Sequence, residues 1–162
     1  MEDWVPLLGY PGYSASTQGR IRNDRRERVL TVVQLPTTYG YVGLIKDGIQ
    51  VKRSVSKLIG DTFLPKPPQP SFNTLTHFDG NLSNCCVDNL DWRPRWFAMK
   101  HTMQFRRELP IYPDPVRELK TEEIFDNAWD AVFQFGLLYM DLILSIYNKT
   151  YVFPTMQTYE WA

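Results

Sequence analysis

The stretch Thr76–Leu90, THFDGNLSNCCVDNL, brings several groups able to do chemistry into fifteen positions of a 162-residue chain. His77 carries an imidazole, the side chain best suited to move protons near neutral pH. Asp79 follows two residues later, but Asp79-Gly80 is also the pair a tight turn requires. Asn81, Asn84 and Asn89 are of the type that ties loops to backbone, and His77 could serve the same purpose by a hydrogen bond across the loop. Cys85 and Cys86 are the only cysteines. Adjacent cysteines rarely bridge and lack metal-site spacing, so free thiols in a reducing cytoplasm are expected. The second histidine, His101, falls in a stretch that reads as a helix, where exposure is the ordinary fate.

These groups must be positioned by short elements. Residues 1–60 read as brief strands: RVLTVVQL, YGYVGLIK and IQVKRSV are β-branched or aromatic runs, and Asp47-Gly48 is a hairpin turn between the last two. SVSKLIGDTF has the spacing of a short amphipathic helix, with Val55, Leu58 and Ile59 on one face. LPKPPQPS (64–71) reads as an extended linker. Pro94 suits the first turn of a helix running to about Arg107, and Trp92 and Trp96 are expected in the core of a small ββα unit. LPIYPDPV (109–116) is a second proline-broken linker. Asp126–Phe135 and Leu137–Lys149 read as two helices parted by Gly136, a helix-turn-helix pattern, and TYVFPTMQTYEW closes the chain as an extended segment. The reading is α+β in three parts: a small β-rich N-terminal module (1–63), a linker with a ββα unit (64–108) and a two-helix C-terminal module (109–162).

Composition narrows the function classes. Aromatics at 14% and a charged fraction of 22% are those of a globular chain and exclude wholesale disorder. No apolar run approaches the roughly 20 residues of a membrane span, and the acidic start MEDWVPLLGY lacks the build of a signal peptide; a cytoplasmic location is expected. Net charge is zero but unevenly spread. Nine basic residues face three acids between Gly19 and Lys57, five face two between Asp91 and Pro110, and from Ile111 onward three face eight acids. A basic first two-thirds points to a phosphate-facing surface, with Arg20, Arg22, Arg25, Arg26, Lys52, Arg53, Arg93 and Arg95 as candidates for duplex DNA contact. The interleaved Asp24 and Glu27 leave a solvated turn as the competing reading of the first four.

The ordered series GYPGYSASTQGRIRN, a β-rich run ending in VKRSVSKLIGDTF, then THFDGN and DNLDW, resembles the HNH homing endonucleases of bacteriophages. The likeness covers nearly the whole chain. It implies a small N-terminal module, a ββα-metal (HNH-like) unit and a C-terminal intron-encoded nuclease repeat with a helix-turn-helix, here PVRELKTEEIFDNAWDAVFQFG and the closing TYEW. In such a site one strand residue and one helix residue hold a divalent cation against the scissile phosphate, while a histidine acts as general base on water. An asparagine before the helix braces the loop. Carried over by position, His77 falls on the general base, Asn89 on the bracing asparagine, and Thr76 and Ala98 on the two metal positions. Mg²⁺ seeks oxygen ligands, typically one or two carboxylates; Thr76 has only a neutral hydroxyl and Ala98 no donor. Asp79 and His101 are the possible substitutes.

Two main readings follow, with a transcription regulator using the same DNA-binding parts as a weaker third. One is a homing-endonuclease-derived phage protein that binds DNA, a partner protein or both, with cleavage lost or weakened and no cofactor. The alternative is an active HNH DNA endonuclease, nicking or double-strand cleaving, that uses Mg²⁺. For the second C-terminal helix, LLYMDLILSIYNK, the sequence suggests a helix apolar on nearly every face and poor in base-reading side chains. Leu138, Tyr139, Leu142 and Ile146 are its candidates for contact with a partner or a second copy, the competing reading being burial within the chain.

Overall fold

The computed structural model describes all of residues 1–162. They form two units: Met1–His77 with Asn81–Pro94, and Phe78–Gly80 with Arg95–Ala162. The boundary between these units falls at Pro94–Arg95, inside the expected 64–108 part.

In the first unit, β1 (Trp4–Pro6), β2 (Tyr13–Ser16), β3 (Ile21–Asn23) and β4 (Arg28–Val29) make an antiparallel meander in chain order. A separate hairpin joins β5 (Tyr41–Lys46) to β6 (Ile49–Ser54) in full register, Tyr41↔Ser54 to Lys46↔Ile49. Its turn puts Asp47 and Gly48 at φ 51° and 76°. Two consecutive left-handed residues are what a two-residue hairpin loop demands, and Asp-Gly supplies them cheaply. The expected strand RVLTVVQL is mostly absent: only Arg28–Val29 pairs, with a lone bridge at Val33. Val32, Val33 and Leu35 lie exposed, since β-propensity without a face to pack on does not hold a strand.

Helix α1 (Val55–Phe63) starts at Ser54, whose hydroxyl accepts from Lys57 N–H. Its apolar face, Val55, Leu58 and Ile59, is buried as the spacing predicts. The strand pair β7 (Thr74–His77) and β8 (Leu90–Arg93) lies against this helix. A Cβ on Gly60 would come within 2.7 Å of Leu75 Cδ1 and 3.0 Å of Trp92 Cζ2. That close approach explains a glycine inside a helix despite its propensity cost of about 1 kcal/mol.

The second unit begins with α2 (Arg95–Gln104). Strands β9 (Val116–Glu118), β10 (Ile124–Phe125), β11 (Tyr151–Val152) and β12 (Gln157–Trp161) form an antiparallel sheet in the order β10-β9-β12-β11. The closing aromatic segment, expected to be extended, is instead a hairpin of β11 and β12, the latter pairing Tyr159 with Glu118 and Trp161 with Val116. Helices α3 (Ala128–Phe135) and α4 (Tyr139–Asn148) turn through 118° at their junction. Asn127 caps α3 by accepting from Trp129 and Asp130 N–H, and Gly136 ends it at φ 63°. Leu138 gives α4 no side-chain cap. Gln104 of α2 serves instead: its amide oxygen accepts from Tyr139 N–H at 2.8 Å and its amide nitrogen donates to Leu137 O at 3.0 Å. No single helix is long and apolar enough to cross a membrane.

The core of this unit joins Val116, Phe125, Val132, Leu142, Ile143 and Tyr159, with Trp129 stacked 4.4 Å from Tyr139. Leu138, Tyr139, Leu142 and Ile146, candidates for partner contact, are buried in the chain's own interior. Sheet and α3 cover the apolar length of α4, so those four residues are not a free surface. What α4 leaves exposed is Asp141, Leu144, Tyr147 and Asn148.

Candidate functional site

The chemistry-bearing loop hangs between β7 and β8. In that ladder Thr76 sits opposite Asp91 and His77 opposite Leu90. Both Thr76 and His77 are 2% exposed. The asparagines tie the loop as their type predicts. Asn81 Oδ1 accepts from Ser83 N–H at 3.0 Å, and Asn84 Oδ1 from Cys86 N–H at 3.3 Å. Asn89 Nδ2 donates to Asn84 O at 2.9 Å. From outside, Val87 N–H donates to Thr17 O at 3.0 Å. Gly19, at φ 80°, lets the chain pass so close that a Cβ there would lie 2.5 Å from the Cys85 carbonyl carbon. These bonds hold the loop at Asn81, Asn84 and Asn89.

That bracing sets a neighbour the sequence reading missed. Cys85, 7% exposed, places its Sγ 3.8 Å from His77 Nε2. Nothing in the eight-residue spacing announced it, because the meeting depends on how the loop closes. Cys86 turns to the other side, its Sγ donating to Gln18 O at 3.5 Å. On His77 the ring of Tyr39 lies with centroids 5.5 Å apart, and the Tyr39 hydroxyl donates to Leu75 O at 3.2 Å. Burial raises the Tyr39 pKa above the ordinary phenol value.

The resemblance's metal positions can be tested on these residues. Thr76 Oγ1 is buried and has no hydrogen-bond partner. Asp91, across the ladder, is engaged: its Oδ1 accepts from Trp92 N–H at 2.7 Å and its Oδ2 from Arg93 Nη1 at 2.6 Å. In the second unit Ala98 is buried on α2 with only a methyl group. His101, expected to be exposed, is fully buried. Its ring packs with Phe97 at 6.2 Å and Phe105 at 5.2 Å, an aromatic setting that accounts for the difference. Trp96, expected in a core, is 51% exposed and stacks on Phe153. Asp79 is half-buried in its turn. No three His, Cys, Asp or Glu side chains converge on one point. A neutral hydroxyl and a methyl group do not fit a hard divalent ion.

The basic candidates separate into kinds. Arg20 grips Glu2 through both guanidinium arms, and this hydrogen bond holds the Glu2 carboxyl down at about 2. Arg22 pairs with Asp24 at 2.9 Å and lies 4.4 Å over the Trp4 ring. Arg25 and Arg26 are exposed. Lys52 and Arg53 are exposed on β6, Lys52 lying 5.0 Å over the Tyr41 ring and Arg53 donating to Lys52 O at 2.8 Å. Arg95 is exposed on α2 in the second unit. Arg93 is corrected: at 5% exposure, paired to Asp91, it is an interior structural cation and not a surface contact.

Comparison with known proteins agrees with the residues. Residues 2–44 match the NUMOD4 motif, which occurs in HNH homing endonucleases. An uncharacterised HNH endonuclease of Acanthamoeba polyphaga mimivirus is 24% identical over 131 residues, covering 77% of this chain and 39% of that protein. The chain spans about two-fifths of the length of that relative. Among solved structures, the HNH homing endonuclease I-HmuI, in a study of DNA binding and cleavage, matches with a TM-score of 0.56 at 17% identity, covering 99% of this chain and 98% of the other. The chain thus carries the NUMOD4 motif, is similar in sequence to an HNH endonuclease and has the α+β fold seen in an HNH homing endonuclease.

Proposed function

We propose that this chain is a DNA-binding protein derived from an HNH homing endonuclease, with metal-dependent cleavage lost or weakened. One observation carries the reading: the metal positions implied by the family are held by a buried threonine hydroxyl and a buried alanine methyl. His77 and Asn89 remain in place, but an imidazole base without an electrophilic metal at the phosphate lacks the charge stabilisation that dominates phosphodiester cleavage. Exposed Arg25, Arg26, Lys52 and Arg53 in one unit support contact with the phosphate backbone, which requires no base-reading helix. The acidic, apolar exposed face of α4 (Asp141, Leu144, Tyr147) supports backbone-dominated affinity rather than sequence readout there. The alternative, an active Mg²⁺ nuclease, is favoured by the retained His77 alone.

Titration of a labelled duplex at several salt concentrations tests the binding half. With four exposed cations engaged, log K against log salt is expected to fall with a slope near about −3.6. Arg25→Ala with Arg26→Ala should reduce that slope by about 2 units. A salt-independent signal, or none at low salt, would remove the proposal.

A further inference from the structure

Helix α2 buries one side in the second unit and leaves another bare. Trp96, Met99 and Met103 recur at the spacing of one helical face and are 41–60% exposed. They line a groove of about 530 Å³ together with Lys100, Arg107 and, from α4, Asp141. Along α4 from Asp141, Leu144 and Tyr147 continue the apolar surface, 51% and 62% exposed. Apolar side chains gathered on one surface and rimmed by charge mark a place of contact. We infer that this groove is the face by which two copies of the chain associate, α2 of each lying on α4 of the other about a two-fold axis.

The charges choose that occupant. On its α2 side the groove is cationic, with Lys100 and Arg107; on its α4 side it is anionic, with Asp141. Lys100 Nζ lies 5.5 Å from the Trp96 ring centroid, which keeps the cation beside the apolar stripe. None of the three charges has an ion-pair partner within the chain. A face with a cation on one half and an anion on the other complements itself under a two-fold rotation, because each half meets its opposite. A foreign partner must supply both signs in reverse order, whereas a second copy carries them already. A net charge of zero removes the long-range repulsion that keeps strongly charged copies apart. Methionines, unbranched and adaptable, suit a surface that has to fit its own replica. The interface uses none of the cations assigned to DNA and stands apart from that proposal.

Sedimentation velocity of the full-length protein reads the association. Apparent mass should rise from that of one chain toward that of two as concentration climbs through the micromolar range, and fall back in high salt. Lys100→Glu and Asp141→Lys should each weaken association by roughly tenfold or more, since like charges then face each other at both ends of the interface. An equimolar mixture of those two variants should recover it, because only the mixed pair restores opposite charges at both contacts. Should either charge variant misfold, Met103→Glu, at an exposed position of the same face, supplies the comparison and should also dissociate the pair. A single-chain mass at every concentration would overturn the inference, as would association indifferent to these changes or a mixture that stays apart. A monomer that instead takes a labelled acidic amphipathic peptide into the groove would overturn it in favour of another occupant. Duplex titration on the same protein reads the other proposal separately: a lone monomer that still binds duplex strikes this one alone.

Discussion

Arg93 is 5% exposed and its Nη1 donates to Asp91 Oδ2 and to Trp92 O, with the Asp91 side chain keeping 46% of its surface in water. Removing the anion takes the charged partner from a buried cation and leaves it its neutral acceptors, such as Trp92 O. Asp91→Ala should cost about 2 kcal/mol, below the 3–5 kcal/mol of a fully buried pair because Asp91 is half in solvent. Urea midpoints read this; an unchanged midpoint would mean Arg93 is satisfied elsewhere. Glu118, 1% exposed, is the second buried charge. Burial alone would raise its pKa, but hydrogen bonds from the Thr121 hydroxyl and backbone outweigh that and hold it below the ordinary value. A lowered folded pKa means stability that is present above the unfolded value and lost as pH falls through the folded one. Unfolding midpoints measured from about pH 6 to pH 3 should fall, and fall less steeply in Glu118→Gln. Parallel curves for the two proteins would contradict the assignment.

At the scale of elements, Gly60 shows how packing overrides propensity. Gly60→Ala would gain about 1 kcal/mol of helix preference, yet its methyl meets Leu75 at 2.7 Å. Overpacking of this kind costs about 1–3 kcal/mol, so a net loss in melting temperature is expected; a gain would show the β7–β8 pair to be yielding. Which elements were legible follows the range of the forces that form them. The Asp47-Gly48 hairpin, the α1 face and the break at Gly136 are local and could be read from a few residues each. The pairing of β12 with β9 links positions some forty residues apart, and no local pattern encodes it; without it, whether a partner or the chain itself covers apolar α4 stayed open. The run at Val32 and Val33 failed the other way, having propensity but no partner strand. His101 was misplaced because its burial depends on Phe97 and Phe105 closing around it. Thr76, His77, Asn89 and Ala98 were singled out by the resemblance, while the approach of Cys85 to His77 was not legible, since loop closure alone puts it there.

Across the whole molecule, charge and chemistry divide by unit. The first unit carries the exposed arginines of the NUMOD4 region and the His77 loop; the second carries an acidic sheet-and-helix module whose apolar residues are largely spent on its own core. The proposed function is that this chain holds duplex DNA by its phosphate backbone without breaking it. Supercoiled plasmid incubated with the purified protein in Mg²⁺ or Mn²⁺, and scored for nicked and linear products, tests that claim most directly. The expected result is no cleavage above a protein-free control, with activity gained in Thr76→Asp combined with Ala98→Asn. Metal-dependent nicking by the unaltered chain that disappears in His77→Ala would contradict it.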